Sequence, residues 1–189
     1  MKQIFTKTGD EGMTSLRNGV RVAKDDLRIE TNGQVDHLNS LLGVVRTMLP
    51  PEDENSTMIE SLQHELMAVM SHIATPEGCN NARPLHSAML TEQMEQAIAQ
   101  HRPDNIPFVI PGSGSTLSAV IHLARTQSRT VERRLWTLHR QYSVDRGVLV
   151  MMNRLSDYLF VLAELYIGER NKETRSKEWK PLPNDQTTK

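Results

Sequence analysis

Residues 25–49 read DDLRIETNGQVDHLNSLLGVVRTML, and Pro50-Pro51 follows at once. Leu27, Val35, Leu38, Leu42, Val45 and Met48 recur at spacings of three and four, which lays one apolar stripe along a helix. The two prolines end it. The pattern returns over 56–73 (Met58, Ile59, Leu62, Leu66, Val69, Met70) and 85–101 (Met89, Leu90, Met94, Ile98), and again over 115–141 and 145–168. Turn residues fill the gaps, Pro76, Gly78 and two Asn in one and Pro111-Gly112-Ser113-Gly114 in another. Five such segments joined by short breaks predict an all-α five-helix bundle over 25–168. Residues 1–24 carry no helical stripe and are expected to form an extended arm. The charged 169–189 reads as a polar tail, with Trp179 as its one anchor. All three belong to a single domain, 1–189.

The 22 Lys and Arg balance 23 Asp and Glu, which excludes a globally basic nucleic-acid binder. The balance conceals a segregation. Residues 47–82 hold six acids and no Lys or Arg, whereas 125–140 hold five Arg and one acid. No apolar run approaches the roughly 20 residues of a membrane span. One cysteine, Cys79, allows no internal disulfide, and a reducing cytoplasmic setting is expected. The seven His offer no ligand spacing for zinc, and His37, His64, His72 and His86 read as helix-packing or surface residues. Met67, Met70, Met89 and Met94 read as fillers of helical stripes.

Three constellations carry chemical possibilities. In Thr6-Lys7-Thr8-Gly9-Asp10-Glu11-Gly12-Met13-Thr14-Ser15, two glycines let backbone N–H groups converge, and hydroxyls and a lysine join them. Such a loop suits phosphate oxygens, though a plain polar turn has the same composition. On the fourth helix, at about 100° per residue, His122, Arg125, Arg129 and Glu132 fall within about 80° of arc, roughly 130° from the apolar Leu117, Val120, Ala124, Val131, Leu135 and Leu138. That face is either a solvated ion-pair surface or an anion site, and it has few local carboxylates to pair its arginines. On the fifth helix Asn153, Asp157, Phe160 and Glu164 align opposite Val148, Leu155, Leu159, Leu162 and Tyr166, as a ligand face or a polar seam between helices or subunits.

Four strings in order, Thr6-Lys7-Thr8-Gly9-Asp10, Val35-Asp36-His37-Leu38-Asn39-Ser40 with Gly43, Arg125-x-x-x-Arg129-x-x-Glu132-Arg133 and Asn153-Arg154-Leu155-Ser156-Asp157, resemble the PduO-type ATP:cob(I)alamin adenosyltransferases. The likeness runs from about Lys2 to Trp179-Lys180-Pro181. It implies a homotrimer of five-helix bundles with each site between two subunits. It also implies transfer of the 5′-deoxyadenosyl group of ATP to reduced corrinoid, such as cobalamin, with release of triphosphate and help from Mg2+. A flavin-type reductase would supply the reduced corrinoid.

Residue by residue, the resemblance places ATP contacts at Thr6, Lys7, Thr8, Gly9, Thr14, Ser15, Lys24, Arg129, Thr130, Val131, Glu132, Arg133 and Asn153. Arg129, Lys7, Asp157 and Phe108 are its candidate catalytic residues, Phe108 as an apolar wall that expels the lower axial base of the corrinoid. Asp36 and Arg125 match positions that pair across the subunit interface. Three departures stand out: Thr130 where a second Arg is frequent, His37 where Glu is usual, and a Pro111-Gly112-Ser113-Gly114-Ser115 turn one residue longer than the family's. They motivate an alternative, a nucleotide- or corrinoid-binding sensor or carrier with reduced turnover. A helical interaction module has no need of Lys7, Arg129, Glu132, Asn153 and Asp157 at these spacings.

Overall fold

The computed structural model describes residues 7–76, 78–79, 83–101, 110–112 and 114–167. Five helices account for most of them: α1 (Leu27–Met48), α2 (Glu54–Ile73), α3 (Ser87–His101), α4 (Thr116–His139) and α5 (Arg146–Leu165). Side-chain caps set their starts, with Asp26, Asp53, Ser115 and Asp145 each accepting a hydrogen bond from a first-turn N–H of α1, α2, α4 and α5. For α3 the corresponding acceptor comes from another helix. Glu65 of α2, only 3% exposed, accepts from the His86 N–H at 3.0 Å and from the Ser87 hydroxyl.

Long-range bonds fix the helix directions. Arg46 pairs with Glu60, Gln63 donates to the Asn39 carbonyl and Asn32 to that of Met70, so α2 runs antiparallel to α1. Gln127 bonds Gln34 and Arg134 pairs with Glu30, so α4 also opposes α1. Ser115 reaches the Tyr166 carbonyl and His122 stacks on Phe160, so α5 opposes α4. The remaining pairs are α3 with α5 and a lighter contact of α2 with α3, which closes the ring. The centre is aliphatic and fully buried at Leu38, Leu42, Ile59, Leu62, Leu66, Leu135, Met151 and Met152. No helix among the described residues is long and apolar enough to cross a membrane.

Two expectations change. The arm is not merely extended: Met13–Ser15 (β1) and Arg21–Ala23 (β2) pair antiparallel, Thr14 opposite Val22, around a tight turn with Asn18 and Gly19 at positive φ. The alternation Val20-Arg21-Val22 was its only sequence signal. Met67 and Met89 face outward on α2 and α3 instead of filling a buried stripe.

Candidate functional site

The hairpin shapes the glycine loop. Its turn is anchored on the end of α2, with Leu16 buried, the Arg17 N–H on the Ala74 carbonyl at 2.9 Å and the Arg17 guanidinium on the Ser71 hydroxyl. At its open end the Lys24 N–H donates to the Gly12 carbonyl at 2.8 Å, and Gly12 turns the chain at φ 79°. Lys24 then lies across Gly9, its Nζ 3.5 Å from where a Cβ would stand. Arg21 holds the loop from beneath, donating to the Thr8 carbonyl at 2.8 Å and the Ser15 hydroxyl at 3.1 Å. The sequence reading missed Arg21, whose role shows only once the hairpin register brings it beside Thr8. Lys7, Thr8, Ser15 and Lys24 are exposed, and Gly9 and Thr14 partly so. Neither Lys7 nor Lys24 pairs with a carboxylate among the described residues.

Arg129 and Arg133 project from α4 into solvent and Arg125 is half-buried, and none of the three meets a carboxylate among the described residues. The Arg125 guanidinium is held below the usual arginine range by burial first and the Arg129 charge second. Glu132 forms no ion pair with Arg129, so it does not orient that residue within the chain. Thr130 takes the place of a cation in a specific way: its hydroxyl accepts from Arg133 Nη2 at 3.1 Å, drawing that guanidinium along the helix. An accumulation of like charge without local counter-ions is a standing electrostatic cost that a bound polyanion relieves.

One placement differs from the helical-wheel expectation, and another from what the resemblance implies. His122 is 3% exposed and lies in the α4–α5 seam, its ring centroid 6.2 Å from that of Phe160, because α5 crosses α4 on that side. Val131, grouped with the ATP contacts, turns wholly into the core beside Ala124, Leu135 and Leu138, so its side chain is withdrawn from any ligand. On α5, Asn153 is exposed. Asp157 is exposed too, but is engaged by Arg154 at 2.8 Å, and Arg154 also reaches Glu95 of α3 at 2.9 Å. Asp36 is exposed on α1 and forms no ion pair among the described residues. Thr6 and Phe108 lie outside the described residues. A cavity of about 330 Å³ opens elsewhere, at the end of the bundle between Arg28, His72, Tyr142 and Asp145, and none of the candidate residues lines it.

These features define a mostly helical protein with surfaces suited to a polyphosphate: a glycine loop covered by Lys24 and carrying Lys7, and an arginine face on α4. A family model described as cobalamin adenosyltransferase matches residues 4–166. The corrinoid adenosyltransferase of Bacillus subtilis (strain 168) is 34% identical over 167 residues, spanning 86% of each chain. The corrinoid adenosyltransferase MMAB of Homo sapiens is 34% identical over 171 residues, 85% of this chain and 67% of that one. Among solved structures, a phenylalanine-to-histidine variant of the PduO-type ATP:corrinoid adenosyltransferase from Lactobacillus reuteri, complexed with cobalamin and ATP, superposes with a TM-score of 0.77 at 31% identity. It covers 85% of this chain and 89% of its own. An arginine-to-lysine variant of that enzyme, complexed with ATP, gives a TM-score of 0.74 at 30% identity over 86% of this chain and 93% of its own. The chain belongs to the cobalamin adenosyltransferase family.

Proposed function

We propose that the chain transfers the 5′-deoxyadenosyl group of ATP to the cobalt of a reduced corrinoid such as cobalamin. The observation that carries this reading, beyond family membership, is the set of cations without carboxylate partners among the described residues at Lys7, Lys24, Arg125, Arg129 and Arg133, two on the arm and three on α4. In this reaction the electron pair of cobalt(I) attacks C5′ of the ribose. A cobalt–carbon bond forms, the C5′–oxygen bond breaks, and triphosphate departs with that bond's electrons. The nucleophile belongs to the substrate, so the protein has to align the reactants and stabilise the leaving group.

Each candidate residue takes a share of that work. Lys7, Lys24 and Arg129 neutralise the departing triphosphate, with backbone N–H groups of the Gly9 loop and the hydroxyls of Thr6, Thr8 and Thr14 on its oxygens. Ser15 contributes through a hydroxyl that already accepts from Arg21. Arg133, braced by Thr130, adds charge at the rim, and Asn153 supplies an amide for the nucleoside. Asp157, oriented by Arg154, and Phe108 belong to the corrinoid side. Mg2+ fits here because it binds through one or two carboxylates and substrate phosphates; Glu132 is the carboxylate on the α4 face, and the ion would neutralise leaving-group charge.

The arm cations sit beside the hairpin and the α4 cations on a helix face. A homotrimer with the arm of one subunit facing α4 of the next unites them, and Asp36 then pairs with Arg125 of a neighbour. A flavin-type reductase supplies the reduced corrinoid, and the setting is cytoplasmic. With ATP, Mg2+ and chemically reduced cobalamin, the full chain should form the cobalt–carbon product, read from the corrinoid visible spectrum. Tight ATP binding with no product would instead establish the sensor or carrier suggested by Thr130 and His37.

A further inference from the structure

His122 is a buried polar residue whose presence the aliphatic seam around it does not explain. Its ring is tilted 55° against Phe160, and Arg125, one turn further along α4, donates its Nε–H to His122 Nδ1 at 3.2 Å. A ring that accepts at Nδ1 is neutral and carries its proton on Nε2. Burial, and secondarily the charge of Arg125, hold the imidazole below the usual histidine range, which keeps it in that form at neutral pH. Nε2 is buried and meets no hydrogen-bond partner among the described residues. A leucine would fill such a space without an orphaned donor, whose burial is destabilising. What a leucine lacks is the acceptor for Arg125.

Arg125 needs one. It is half-buried, faces the charge of Arg129 and has no carboxylate partner among the described residues to fix it. Among the described residues its one side-chain hydrogen bond uses Nε, which leaves both Nη nitrogens available to an anionic oxygen from outside the chain. We infer that His122 is a positioning residue: by accepting the Nε–H of Arg125 it holds that guanidinium in one orientation, with its Nη edge free for an anionic oxygen of the substrates or of a neighbouring copy. This inference rests on the proposed function, and it adds a residue that touches neither substrate nor cobalt.

A double-mutant cycle on the full chain tests it, with kcat/KM for reduced cobalamin and for ATP and the sedimentation coefficient measured in parallel. His122→Leu should lower kcat/KM about tenfold, whereas His122→Asn, whose Oδ1 stands near the place of Nδ1, should retain activity within about threefold. In an Arg125→Ala background His122→Leu should cost less than about twofold more. A rise in KM for a substrate assigns the anionic oxygen to that substrate; a loss of assembly assigns it to a neighbouring copy. A fully active His122→Leu, a fully active Arg125→Ala, or losses that multiply would overturn the inference. Should the unaltered chain make no product, the function reading falls, and imidazole ¹⁵N shifts decide the positioning claim separately. The His122 spectrum should show Nε2 protonated and Nδ1 moving on Arg125→Ala; nitrogen shifts indifferent to Arg125 would overturn the claim.

Discussion

At the scale of single residues, the account turns on cations that the chain leaves without counter-ions. Arg129 is exposed, unpaired among the described residues, and on the same face as Arg125. Replacing it by Ala should remove about 2 kcal/mol or more of transition-state stabilisation, a fall in kcat/KM of roughly 30-fold. Steady-state rates at saturating cobalamin check this, and an undiminished rate would move the role elsewhere. Gly114 makes a different prediction. A Cβ there would collide with the Ile167 carbonyl and stand 2.8 Å from Ile167 Cγ1, so Gly114→Ala must push the α4 entry away from the end of α5. Thermal unfolding should show a loss of about 1–3 kcal/mol, the range typical of overpacking.

Much of this residue level was legible beforehand. Arg125, Arg129 and Glu132 could be assigned to one face because a helix has a fixed rotation per residue. His122 shared that rotation and was still misplaced, since the wheel describes one helix and burial is decided by the neighbour, here α5 with Phe160. Arg21 escaped notice for a related reason: its partner, the Thr8 carbonyl, becomes adjacent only through pairing of β1 with β2.

At the scale of elements, the ends of α2 and α5 are tied by a polar network invisible to hydrophobic periodicity. The Tyr166 hydroxyl donates to the Asp53 carboxylate that caps α2, while Asn55 donates to Tyr166 and accepts from Tyr158 at 3.1 Å. Burial, then the bond to Asp53, pushes the Tyr166 phenol up to about 12. The folded chain therefore keeps this proton where an unfolded tyrosine, ordinarily near 10, has lost it. The stability this provides is complete below pH 10 and disappears as pH rises through about 12. Denaturant midpoints should fall across that window, and Tyr166→Phe should flatten the fall while lowering stability at neutral pH. A midpoint curve unchanged in shape by Tyr166→Phe would contradict the network. Five helices were readable from five apolar stripes, and their ends shifted by only a few residues. The hairpin was not, because two three-residue strands are too short for an alternation to register.

At the scale of the whole molecule, the near-balance of charge proved to be the sum of an acidic 47–82 and a basic 125–140. The basic stretch lies largely on α4 and the two lysines on the arm, and we propose that they are two halves of one cation set. The central claim is that these halves meet only between subunits. The most direct test is to co-express Lys7→Ala and Arg129→Ala chains, each strongly impaired alone, and measure adenosylcobalamin formation by the mixed assembly. A site made from the intact arm of one chain and the intact α4 of another should restore roughly a quarter of the parental activity in a random mixture. A mixture no more active than its components would contradict the shared site and confine the two cation patches to one chain.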